Sequence, residues 1–107
     1  MNINLNAVGF KPDVKLEEFI DKKVSKLETV YERVLGAEVI LRLEVKEKSM
    51  NKVAEVKLLV PGEDIFAKKM CDTFEEAVDN CVEAIRKQIV KKKEKEKEKE
   101  NEEFEKE

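Results

Sequence analysis

The sequence predicts a two-layer α+β sandwich, a four-stranded sheet with two helices on one of its faces. Three observations predict it. Four short segments carry apolar residues at every second position, the period of a half-buried strand. Two longer segments carry them at three- and four-residue steps, the period of an amphipathic helix. The order along the chain is β-α-β-β-β-α, and strands that alternate need only one face covered.

Residues 2–8, NINLNAV, form the first strand, with Ile3, Leu5 and Ala7 facing one way and Asn2, Asn4 and Asn6 the other. GFKPD ends it, and Asp13 is placed to cap the next helix. Helix one is expected over residues 14–34, from Leu16, Phe19, Ile20, Val24, Leu27, Val30, Tyr31 and Val34, with Gly36 as its C-cap. Residues 38–47 alternate again, Val39, Leu41, Leu43 and Val45 against Ile40, Arg42, Glu44 and Lys46. KSMN is a turn, and residues 53–60 form the third strand with Ala54, Val56, Leu58 and Val60 inward. Pro61 and Gly62 fit the two central positions of a type II turn. In the fourth strand, residues 64–70, Ile65 and Ala67 compete with Phe66 and Met70 for the inward face. Asp72 or Thr73 caps helix two, which opens with Glu75 and Glu76 and carries Phe74, Val78, Cys81, Val82, Ile85 and Ile89 on one side. The uncovered sheet face is expected to be wet, with Asn2, Asn4, Asn6, Arg42, Lys46 and Lys57 on it.

Residues 1–93 read as one domain and residues 94–107 as a charged tail, a frayed helix or disordered. In the tail, Lys/Glu alternation places like charges at i,i+4 and opposite charges at i,i+3, and the two effects roughly cancel. Helix two is expected to run a turn or two past Ile89 and then fray. No apolar run approaches the roughly 18 residues of a membrane span, and the N-terminus lacks the marks of a signal peptide. Cys71 and Cys81 lie inside apolar patterns, as reduced core thiols of a cytoplasmic protein do. The chain has no histidine, the commonest general base and metal ligand, and its two cysteines lack zinc-site spacing. No enzyme activity, metal or cofactor is expected. The formal net charge is −3, but it is unevenly spread. Residues 1–93 hold 18 Lys+Arg and 17 Asp+Glu, hence +1; residues 94–107 hold 4 Lys and 8 Glu, hence −4.

At about 100° per residue, helix one has three sides: apolar, acidic and basic. Lys15, Lys22, Lys26 and Arg33 fall within an arc of roughly 40°, opposite Glu17, Asp21, Glu28 and Glu32. A helix built only for solvation more naturally interleaves its signs as i,i+4 pairs. The stripe is either a solvated flank or a track for a phosphate backbone. Lys23 falls inside the apolar arc, where its stem snorkels along the core edge or carries its ammonium to a phosphate. Helix two ends IRKQIVKKK, and Arg86, Lys87, Lys91, Lys92 and Lys93 exceed what the helix dipole needs. With both helices on one side of the sheet, both basic regions are expected to line one surface. No aromatic accompanies them, which suits structured RNA contacted through phosphate and ribose.

FIDKKVSKLETVYERV in helix one and TFEEAVDNCVEAIRKQIVKKKEK in helix two resemble the corresponding helices of the ribosome hibernation-promoting factors. That family is also called ribosome-associated inhibitor A, or sigma-factor modulation protein. The resemblance covers residues 1–95. It implies a cytoplasmic bacterial protein that binds the small ribosomal subunit in the channel of messenger RNA and of A- and P-site transfer RNA. There it contacts ribosomal RNA, inhibits translation and preserves idle ribosomes in stationary phase or stress. Lys23, Lys26, Arg33, Lys87, Lys91 and Lys93 match the family's basic pattern, and Lys15, Lys22, Arg86 and Lys92 join them on the wheel and by local charge. The chain resembles the short type, without a second, dimerising domain. Such a chain needs another hibernation factor to pair ribosomes, or inactivates single ones, and is expected to be a monomer when free. Two other readings stay open. One is a general double-stranded-RNA-binding module, whose fold is similar but lacks the first strand. The other is a protein-interaction or transcription-modulating domain.

Overall fold

In the computed structural model, which describes the backbone of residues 1–105 and the side chains of residues 1–95, the elements follow the expected order. They are β1 (Asn2–Ala7), α1 (Val14–Ser25), α2 (Leu27–Val30), β2 (Gly36–Leu43), β3 (Lys52–Leu59), β4 (Ile65–Cys71) and α3 (Phe74–Glu105). The sheet order is β1-β2-β3-β4. β1 runs parallel to β2, with Leu5 beside Val39; the other neighbours are antiparallel. The crossover from β1 to β2 carries α1 and α2, and α3 returns over β3 and β4, so the helices share one face.

The core lies between the layers. Val39, Leu41, Ala54, Val56 and Leu58 from the sheet meet Ile20, Val24, Leu27, Val78, Ile85 and Ile89 from the helices, all at most 1% exposed. At about 25 cal/mol per Å² of apolar surface, burial of these side chains is the dominant favourable term. Asp13 caps α1 as expected, its carboxylate accepting from the Leu16 N–H at 2.8 Å. Of the two candidate caps of α3, Thr73 takes the role: its hydroxyl accepts from the Glu76 N–H at 3.1 Å. Asp72 instead accepts from the Met50 N–H at 2.8 Å, tying the β2–β3 turn to the entrance of α3. Gly62 has φ 86, the left-handed value that the type II turn requires. Cys71 and Cys81 are buried free thiols.

Five expectations need correction. Helix one is not continuous to residue 34. The Thr29 N–H and hydroxyl both donate to the Lys26 carbonyl, at 3.1 and 2.7 Å, which tightens the winding to i→i−3. Tyr31 is then extended, at φ −141 and ψ 114, and 3% exposed, so the chain leaves the helix to seat this ring in the core. Gly36 consequently opens β2 rather than capping a helix, and a Cβ there would stand 3.0 Å from the Asn2 carbonyl oxygen of β1. β2 ends at Leu43, which leaves Val45 exposed and Lys46 in the turn rather than on the sheet. The uncovered face is less wet than expected. β4 turns Ile65 and Ala67 inward, so Phe66 and Met70 lie outside, 48% and 42% exposed, beside Lys57 and the Arg42–Glu55 ion pair. Helix α3 also continues to Glu105, beyond the turn or two expected past Ile89. No Gly or Pro interrupts it, and Lys and Glu are good helix formers.

Candidate ribosomal RNA-binding groove

Two grooves lie in sequence along the seam between the α1–α2 segment and α3. Lys23, Lys26, Asp79, Glu83 and Arg86 line the first. Arg33, Glu32 and Lys93 line the second. Thr29 and Val30 line both, so the two grooves adjoin and are treated together as a trough. It gathers five of the ten expected cations: Lys23, Lys26, Arg33, Arg86 and Lys93. The α3 members repeat at seven residues, two full turns, so Arg86 and Lys93 stand on one line of the helix.

Arg33 reaches this trough by another route than the wheel suggested. It lies beyond α2, in the turn that follows Tyr31 and leads into β2, and this turn brings it to Lys93. Lys23 is half-buried. Its ammonium lies 5.7 Å from the centre of the Phe19 ring and 3.4 Å from the Asp79 carboxylate across the seam. Packing and pairing thus fix a side chain that the wheel alone placed at the core edge. Arg86 is paired as well, 3.3 Å from Glu83 one turn back. Lys26 and Lys93 have no ion pair among the described residues.

The other five cations lie outside the trough. Lys15 and Lys22 are exposed on α1. Lys87 is exposed on α3. Lys91 and Lys92 line a separate cleft with Lys95, Gln88, Glu63 and Asp64 at the β3–β4 turn. The fold therefore brings together half of the expected set, and the rest lie on the outer surfaces of α1 (Lys15, Lys22) and α3 (Lys87, Lys91, Lys92). Asp79 and Glu83 were not singled out from the sequence. Their spacing, four residues apart with Arg86 three further on, marks them as occupants of the same helix face.

Chemically the trough offers ammonium and guanidinium groups on a rigid helical frame, with three carboxylates among them. Such a surface binds polyanions by charge and shape. Among the described residues, no group of three or more His, Cys, Asp or Glu is placed to hold a metal, and no helix is long and apolar enough to cross a membrane.

The chain is similar to several known proteins. A ribosome hibernation promoting factor of Klebsiella oxytoca is 24% identical over 93 residues, 87% of this chain and 94% of that protein. A ribosomal subunit interface protein of Coxiella burnetii superimposes with a TM-score of 0.77 at 20% identity, over 87% of this chain and 98% of that one. The N-terminal domain of Thermus thermophilus Protein Y superimposes with a TM-score of 0.72 at 22% identity, over 83% and 96%. These structural likenesses establish a shared fold. Residues 3–97 match the profile described as "Sigma 54 modulation protein / S30EA ribosomal protein", and the chain belongs to that family, Ribosomal_S30AE.

Proposed function

We propose that this chain is a ribosome hibernation factor. It binds the small ribosomal subunit in the messenger and transfer RNA channel and inhibits translation in stationary phase or stress, in the cytoplasm. Residues 1–93 form the binding domain and residues 94–107 a charged appendage. The observation that carries the proposal is the trough between the helices, where Lys23, Lys26, Arg33, Arg86 and Lys93 converge. Lys15, Lys22, Lys87, Lys91 and Lys92 extend the cationic surface around it. Family membership supplies the ribosomal partner, and the cations supply the contact to ribosomal RNA phosphates. The free chain is a monomer, and it either works with a second hibernation factor or inactivates single ribosomes.

Co-sedimentation with separated ribosomal subunits at low and moderate salt tests this. Pelleting with the small subunit, lost when transfer RNA fills the A and P sites, is expected. Protein left in the supernatant at low salt overturns the proposal. Equal affinity for any long RNA duplex assigns the trough to general duplex binding instead.

A further inference from the structure

The sheet has two edges, and they are finished differently. β4 carries Lys68 and Lys69, and Gln88 of α3 donates from Nε2 to the Phe66 carbonyl at 2.9 Å. Charge and a side-chain cap thus blunt that edge. β1 has neither. Its six residues, NINLNA, contain no charge and no proline, and among the described residues only its β2 side is paired. The helices also cover it incompletely. Ile3, Leu5 and Ala7 remain half-buried, whereas their neighbours Ala37, Val39 and Leu41 are at most 1% exposed. An open groove of about 420 Å³ results, floored by these β1 side chains and Ile20. Phe10 also lines it, held by stacking on Phe74 with ring centres 5.0 Å apart.

The rim of the groove is acidic. Glu17 and Asp21 line it from α1, against the single cation Lys11. No residue lining this groove lines the basic trough, so the two are separate. A strand added to β1 would turn alternate side chains into the groove, beneath these carboxylates. Lysine and arginine suit that position. Their aliphatic stems cover Ile3 and Leu5 while their charged ends reach the rim. A second copy of this chain suits it poorly, because it would bring its own Glu17 and Asp21 to the same place. We propose that the open edge of β1 docks an extended, basic segment of another protein by strand addition.

The test is an NMR titration of the full chain at low salt with a blocked peptide of alternating lysine and valine. A glutamate–valine peptide serves as the control. The expected result is binding of the lysine peptide alone, with amide shifts along residues 3–7 and at Glu17 and Asp21. Glu17→Lys with Asp21→Lys, both exposed positions that leave the core intact, weakens it by about tenfold. Shifts confined to the basic trough or to the Phe66 face overturn the proposal. So do equal binding of both peptides, and a concentration-dependent dimer formed through β1. None of these results depends on whether ribosomes bind.

Discussion

Replacing Lys26 and Lys93 together by alanine isolates the electrostatic part of the proposed RNA contact. Both line the trough, and neither has an ion pair among the described residues, whereas Lys23 and Arg86 already face Asp79 and Glu83. Both are exposed, so the double variant should lose less than about 0.5 kcal/mol of stability per site. Each cation that neutralises one RNA phosphate steepens the plot of log affinity against log salt by about 0.7–0.9. Between about 50 and 200 mM salt, one such contact weakens binding roughly threefold, and two contacts roughly tenfold. The double variant should therefore bind small subunits more weakly at low salt and lose about tenfold less affinity across that range. Sedimentation of labelled protein with purified small subunits over a salt series reads both quantities. Lys68→Ala, on the uncovered sheet face, is the control and should leave the slope unchanged. A slope equal to that of the unaltered chain would refute the assignment of these two lysines to phosphate.

Asp79→Asn removes a carboxylate from the trough and releases Lys23. Affinity for the small subunit at low salt should rise, and the melting temperature should hardly move, because an ion pair this exposed contributes about 0–1 kcal/mol; weaker binding would show that Lys23 needs Asp79 to hold its position. Ile85→Ala, at 0% exposure between the layers, should cost about 2–5 kcal/mol in urea unfolding, and a loss below 1 kcal/mol would contradict the packing described. Burial pushes the Cys81 thiol up to about 11, and its sulfur lies 3.3 Å from the Ala54 carbonyl. Because the raised value favours the protonated folded state, the stability it protects is present below the unfolded value of 9.0 and is lost as pH rises toward 11. Unfolding of Cys81→Ala measured from pH 8 to 11 should therefore show a shallower decline than that of the unaltered chain, and parallel curves would contradict the prediction.

The strands and the apolar faces were legible because each depends on a local period. Ile3, Leu5, Val39, Leu41, Val56 and Leu58 all face inward as their alternation indicates. The end of helix one was not legible. The periodicity of Val30, Tyr31 and Val34 continues through it, and what stops the helix is the Thr29 bond to Lys26 together with the demand of the core for Tyr31. The inward face of β4 was ambiguous for a related reason. Apolar residues occupy both sides of that strand, and only pairing with β3 decides between them. The cations were individually visible, and their division between trough and outer surface was not. It follows from the packing of α1 on α3, which brings Lys23 to Asp79, and from the turn after α2, which brings Arg33 to Lys93, across long stretches of sequence.

The parallel pairing of β1 with β2 also bears on the order in which the chain assembles. β2, β3 and β4 are joined by short turns, so their pairing closes small loops at low entropic cost. β1 reaches β2 only after α1 and α2 have crossed the sheet, with Asn2 pairing with Gly36 on the far side of both helices. The three-strand meander can therefore form by local steps, and the first strand to leave the ribosome is expected to join it last. In native-state amide exchange, β1 should open in a smaller unit than the meander, and residues 3–7 should exchange ahead of Val39 and Val56.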